Sequence, residues 1–168
     1  MGRVFNAPFA KALYVLSMDI WSAIRELIKI VEVGLGSEKE NQKRLTFLLD
    51  YLALQIHSVD PSGDFNGKEI PENSYEEIRN KANERFPSWG FYNVALDVSV
   101  KISETKIALG DAIDDITDIT NDLKMVLWSY ENENENNALW HLKDSYEGHW
   151  RWHARNLQVF IHCLENEI

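Results

Sequence analysis

A chain of 168 residues with 45% apolar and 11% aromatic side chains has the composition of one folded domain, and at about this length a domain buries roughly 70% of the surface its unfolded form exposes. Its one cysteine, Cys163, cannot form an internal disulfide, which excludes a disulfide-built secreted scaffold and any cysteine-based zinc knot and suits a reducing cytoplasm. With 17 Lys and Arg against 27 Asp and Glu the formal charge is −10, a balance that opposes nucleic acid and anionic membrane surfaces.

In chain order, the first residues lack the basic leader and apolar stretch of a secretory signal, so a cytoplasmic location is expected. Residues 7–33 are interrupted by Lys11, Asp19, Arg25, Glu26, Lys29 and Glu32, too many charges for a bilayer span. Pro8 suits a first helical turn and Gly34 and Gly36 suit a helix stop, predicting one long helix between them. Its apolar stripe is Phe9, Leu13, Leu16, Ile20, Ala23, Ile24, Leu27 and Val31, with a second stripe at Tyr14, Trp21 and Ile28 that fits a central helix packed on two sides.

Ser37 and Glu40 form a capping-box pattern ahead of Leu45, Leu48, Leu49, Leu52, Ile56 and Val59, a second helix ended by Pro61. Residues 60–74, rich in Pro, Gly and polar side chains, read as a mobile loop. A second box, Ser74 with Glu77, opens a short helix that Pro87 closes. The run from Phe86 to Tyr92 holds four aromatics around a Pro and a Gly and predicts a turn whose rings fold back on the body, the alternative being an aromatic ligand shelf. Residues 96–102 are open to two readings, a short strand or an extended connector, and nothing else suggests a sheet. A fourth helix is expected from Ser103 to about Tyr130, facing inward with Ala112, Ile116, Ile119, Leu123, Val126 and Leu127. The polar run 131–137 breaks it, and a fifth helix follows from about Ala138 to Leu164 with Leu139, Leu142, Tyr146, Trp150, Leu157, Phe160, Ile161 and Leu164 inward. Short joints make neighbours antiparallel, giving one all-α domain over residues 1–168, an up-and-down bundle of about five helices.

Arg85-Phe86-Pro87, Gly90-Phe91-Tyr92, the Asp-rich stretch Asp114-Asp115-Ile116-Thr117-Asp118-Ile119 with Asn121-Asp122-Leu123-Lys124, and His149-Trp150-Arg151-Trp152-His153 together resemble a bacterial family, domain of unknown function five thousand sixty-three. The resemblance covers about residues 75–164; the first seventy residues share only two amphipathic helices with it. Arg151 and Trp152 stand where such members carry a Gly-Arg pair. The resemblance implies a fold and no reaction.

Asp111, Asp115, Asp118 and Asp122 recur at four, three and four residues and so share one side of a helix. From Glu104 to Glu135 nine acids face two bases, a net of −7. His149 and His153 lie four apart, and two antiparallel helices joined near residue 134 bring Asp115 level with His153. Three readings stay open. In the first, each His is a buried polar tie satisfied by an Asp. In the second, Asp115, Asp118, His149 and His153 ligate a divalent metal. In the third, an Asp orients a His for general acid–base work. The first carries the most weight, so no cofactor is expected, divalent metal being the alternative. There is no phosphate loop, no nucleophile elbow and no pair of Glu-x-x-His motifs, and Cys163 reads as an inert packing residue.

The function expected from these features is that of a small acidic protein-binding module, an immunity or inhibitor type of protein presenting Asp111, Asp114, Asp115, Asp118 and Asp122 to a basic partner such as a toxin. The alternatives are a metal-dependent bundle enzyme built on the Asp stripe with His149 and His153, and a homodimer without catalytic role.

Overall fold

The computed structural model of the chain describes residues 18–63 and 65–167. Helix α1 spans Ile20–Glu32. It does not continue the long helix expected from Pro8: Met18 and Asp19 are not helical, and residues 8–17 lie outside the described part. Asp19 is extended and its carboxylate accepts from the Ser22 N–H at 2.8 Å, so a cap starts the helix at Ile20, inside the span that apolar periodicity alone gave to one long helix. Gly34, at φ 80°, takes the left-handed turn after the helix, and its N–H reaches the Lys29 carbonyl at 3.0 Å. Trp21 and Ile28, the second stripe, are buried along with Ile24, Leu27 and Val31. The helix packs against three others, which accounts for both stripes.

Helix α2, Glu38–Ile56, carries the expected capping box: the Glu40 N–H donates to Ser37 Oγ at 3.3 Å and the Ser37 N–H to the Glu40 carboxylate at 2.9 Å. Leu45, Leu48, Leu49, Leu52 and Ile56 are all buried, each worth about 1.5–3 kcal/mol over exposure. Helix α3, Tyr75–Arg85, starts at the Ser74 cap and stops before Pro87. Of the aromatic turn, Phe86 and Trp89 do fold back, stacked at 4.1 Å and buried. The Trp89 indole donates to Gln42 at 3.0 Å, and Gln42 donates in turn to Glu165 at 3.1 Å, tying the turn to α2 and to the C-terminal end of the chain. Phe91 does not fold back and is 69% exposed.

Phe91 instead opens a two-stranded antiparallel hairpin, β1 (Phe91–Ala95) with β2 (Ile107–Asp111), in which Phe91 faces Asp111 and Ala95 faces Ile107. This corrects two expectations. Residues 96–102 are the connection between strands rather than a strand, and the fourth helix begins at Ala112 rather than Ser103. Period-two alternation puts Tyr92 and Val94 inward while Phe91 and Leu109 point out. Gly110 lies opposite Tyr92, and a Cβ there would meet the Tyr92 ring at 2.6 Å, so glycine lets the ring cross the second strand.

Helix α4, Ala112–Asn132, is capped by Asp111 and buries Ile116, Ile119, Leu123 and Val126 as expected. The joint after it shrinks from the predicted seven residues to Glu133 and Asn134, because the Asn134 side chain accepts from the Asn137 N–H at 2.9 Å and starts the next helix at once. The last helical rod runs as α5 (Glu135–Ser145), a π turn (Tyr146–Trp150) and α6 (Arg151–Asn166). Its buried row, Ala138, Leu142, Tyr146, Trp150 and Ala154, recurs every four residues, and each such step overshoots a helical turn by about 40°. The π turn, in which the Arg151 N–H bonds the Tyr146 carbonyl, underwinds the rod and keeps that row on the core. Leu164, expected inward, is 40% exposed. Among the described residues the result is an all-α bundle of five rods with one small hairpin, in which α4 contacts α1, α3, α5 and α6. Residues 60–63 and 65–74 are irregular, and Ser62 is bonded to Asn136 and Lys68 to Glu133. Among the described residues no helix is long and apolar enough to cross a membrane.

Candidate functional site

The Asp stripe of α4 faces two elements. Toward α3, Arg79 donates to Asp111 at 2.6 Å and to Asp114 at 2.8 Å, and the Tyr75 hydroxyl donates to the same Asp114 oxygen at 2.5 Å. Arg79 and Tyr75 were not singled out from the sequence; their four-residue spacing on a polar helix is the signal, since it puts both on one side of α3. Burial first, then the Asp114 bond, raises the Tyr75 hydroxyl well above the ordinary tyrosine value, and the Asp111 bond raises Arg79. Each therefore stays a donor.

Toward α6 and the π turn the stripe meets the histidines. His153 Nδ1 lies 2.7 Å from Asp115 Oδ1, and His149 Nδ1 lies 2.8 Å from Asp122 Oδ2. The level predicted by counting outward from residue 134 is thus the level found. Asp115 is buried and also accepts from the Tyr92 hydroxyl of β1. Asp118 sits between the two pairs, its Oδ2 at 3.6 Å from His153 Nε2. The two imidazoles meet edge to face with centroids 5.0 Å apart. One ligand atom each from Asp118, His149 and His153 lies within 4.8 Å of the other two, so among the described residues these three could together hold a metal ion. Asp115, named with them from the sequence, stands behind His153, with one oxygen on the imidazole and the other on Tyr92.

The electrostatics follow from this packing. Desolvation raises Asp118 and Asp122 above the ordinary carboxylate value, the imidazoles opposing it. The Asp115 bond raises His153, with burial opposing. The five aspartates proposed as a partner face are all bonded or ion-paired inside the fold. Asp114, with about half its side chain exposed, presents the most surface of the five, and Asp115 presents almost none.

A second feature lies at the hairpin. Phe91, Val98, Val100, Ile102, Ile107 and Leu109 are each at least 60% exposed, and a groove of about 520 Å³ runs beside β1, lined by Tyr92, Val159, Phe160, Cys163 and Leu164. Cys163 is half-buried there.

Among solved structures the bundle is similar to the crystal structure of protein BF1032 from Bacteroides fragilis, at 14% identity over 90% of this chain and 89% of that one, with a TM-score of 0.64. That likeness shows the fold alone. No curated protein matches the chain. The family match runs further toward the N-terminus than the motifs suggested, taking in most of α2 as well as everything from α3 to α6. By that match, over residues 42–166, the chain belongs to the family described as Domain of unknown function (DUF5063).

Proposed function

We propose that this chain is an acidic protein-binding module whose docking element is the β1–β2 hairpin with its connecting loop. The observation that supports this reading is the set of six large apolar side chains, Phe91, Val98, Val100, Ile102, Ile107 and Leu109, all mostly exposed on the one hairpin and its connecting loop. Scattered exposed apolar residues are ordinary, but a contiguous group is a mark of an interaction surface. The occupant is a protein with an apolar groove set in a basic surface: the −10 charge of the chain attracts such a surface over distance, and the hairpin supplies the apolar contact on arrival. An immunity or inhibitor type of protein acting on a basic toxin is one form of this partnership.

A photo-crosslinking residue at Val100, with a control at the likewise exposed Leu54 on α2 (78% and 66%), tests the reading in the native host. The expected result is an adduct with a basic protein from position 100 only, lost on changing Val98 and Ile102 to Ser and reduced at high salt. An adduct with a second copy of the chain, or equal labelling at both positions, overturns it.

A further inference from the structure

We infer that Asp118, His149 and His153 form a binding site for one divalent transition-metal ion, with Asp115 and Asp122 holding the imidazoles in the ligating orientation. The inference is independent of the hairpin and of any protein partner.

Donor chemistry comes first. Two imidazole nitrogens and one carboxylate oxygen form a mixed set that suits zinc, iron, cobalt or manganese and not calcium or magnesium, which prefer oxygen throughout. A histidine that ligates through one ring nitrogen donates its other N–H to a carboxylate or carbonyl, which fixes tautomer and ring direction. Both histidines have that arrangement. Nδ1 of His153 is committed to Asp115 and Nδ1 of His149 to Asp122, so in each ring Nε2 is the nitrogen left for an ion. Asp115 is itself fixed by Tyr92, which gives the His153 side a third layer.

Distances decide between an ion site and a set of ties. If the histidines served only as ties, the Asp115–His153 and Asp122–His149 bonds would complete the arrangement without Asp118, whose carboxylate also interacts with the Tyr75 hydroxyl. The Asp118 oxygen stands 3.6 Å from His153 Nε2, too long for a hydrogen bond. Bonds of about 2.0–2.2 Å place two ligands of one ion roughly 3–3.5 Å apart, so 3.6 Å is close to the separation of two ligands. The widest separation in the group, within 4.8 Å, closes by a small shift of the His149–Asp122 pair together, His149 being half exposed. That exposure also gives an ion its way in and leaves positions for water or a small ligand. Three aspartates on one side of α4 repel one another, and a dication beside Asp118 offsets that repulsion. His149 lies within the π turn, a local departure from α geometry that recurs at functional sites.

The test uses the full chain stripped with chelator and titrated with cobalt(II), then zinc(II), with calorimetry for stoichiometry and visible absorption for the ligand field. The expected result is one equivalent bound, with cobalt bands that zinc displaces. His149→Ala and Asp118→Asn each lower affinity at least 100-fold, with circular dichroism unchanged. Asp122→Asn weakens binding by about 10–100-fold, as removal of an orienting partner does, and Asp114→Asn leaves it unchanged. The inference is overturned if the stripped chain binds no ion in a saturable way, or if His149→Ala and Asp118→Asn bind as the unaltered chain does, which would leave the histidines as ties.

Discussion

Tyr92, on the first strand of the hairpin, donates its hydroxyl to Asp115 in the first turn of α4. The contact requires the ring to pass over Gly110, and it connects the β element to the buried end of the Asp–His ladder. Tyr92→Phe keeps the ring packing on Phe160, at 5.2 Å between centroids, and removes only the donor. Loss of a buried bond to a charged acceptor is expected to lower unfolding free energy by about 1.5–3 kcal/mol, read by urea denaturation. A loss below about 0.5 kcal/mol would show that Asp115 does not depend on Tyr92.

Among the described residues Arg79 is the one cation bridging Asp111, the cap of α4, and Asp114. Because Arg79 is about one-third exposed, solvent screening reduces the gain. A double-mutant cycle between Arg79→Ala and Asp111→Asn is expected to give a coupling of about 0.5–2 kcal/mol. Additivity of the two changes would mean that the pair contributes nothing beyond its separate parts.

His141 supplies a pH dependence. Its ring packs edge to face on Phe65 with centroids 4.7 Å apart, and burial lowers its pKa below the ordinary 6.5, with Glu133 and Asp144 opposing. The unfolded chain then takes up a proton here before the folded one does. Stability from this group is full above about pH 6.5 and declines as pH falls through the unfolded value toward the lower folded one. In guanidine melts at pH 7.5, 6.5 and 5.5, His141→Leu is expected to flatten the acid-side decline relative to the unaltered chain. Equal slopes in the two proteins would contradict the assignment.

Limited proteolysis checks residues 60–74. Asn136 both accepts from and donates to Ser62, at 2.9 and 3.0 Å, holding one end of the irregular segment to the start of α5. The first cuts are expected within residues 60–74. Asn136→Ala is expected to speed them about fivefold, the effect of about 1 kcal/mol on a local opening. Earlier cutting inside α4 would refute this.

Much of the bundle was legible because its determinants are local. The Ser37–Glu40 box, the Ser74 cap and the three- and four-residue apolar steps of α4 each fix an element without distant help. The pairing of His153 with Asp115 was also legible, since a short joint near residue 134 leaves few registers for two antiparallel rods. The hairpin was not. Ile107-Ala108-Leu109-Gly110 resembles the start of the following helix, and only pairing with Phe91–Ala95 makes it a strand. Arg79 and Tyr75 were missed for a similar reason: their partners lie more than thirty residues away on α4, and charges on a polar helix are ordinarily solvated. Met18 and Asp19 interrupt an apolar pattern that continues on both sides, so the cap is visible only as Asp19 with Ser22.

The π turn at Tyr146–Trp150 amounts, in chain length, to one surplus residue. Removing Gly148 would change the spacing of the buried row from Tyr146 to Trp150 from four residues to three, which is the step a regular α-helix accommodates between steps of four. The rod could then close to α geometry with both flanks still on the core, while His149 would lose the bulged backbone that sets its ring beside His153. Substitution at the same position is mild by comparison, because a Cβ on Gly148 meets nothing within 4 Å. Insertion and deletion, rather than replacement, are therefore the changes by which such a helix gains or loses its His–Asp centre while the bundle around it persists.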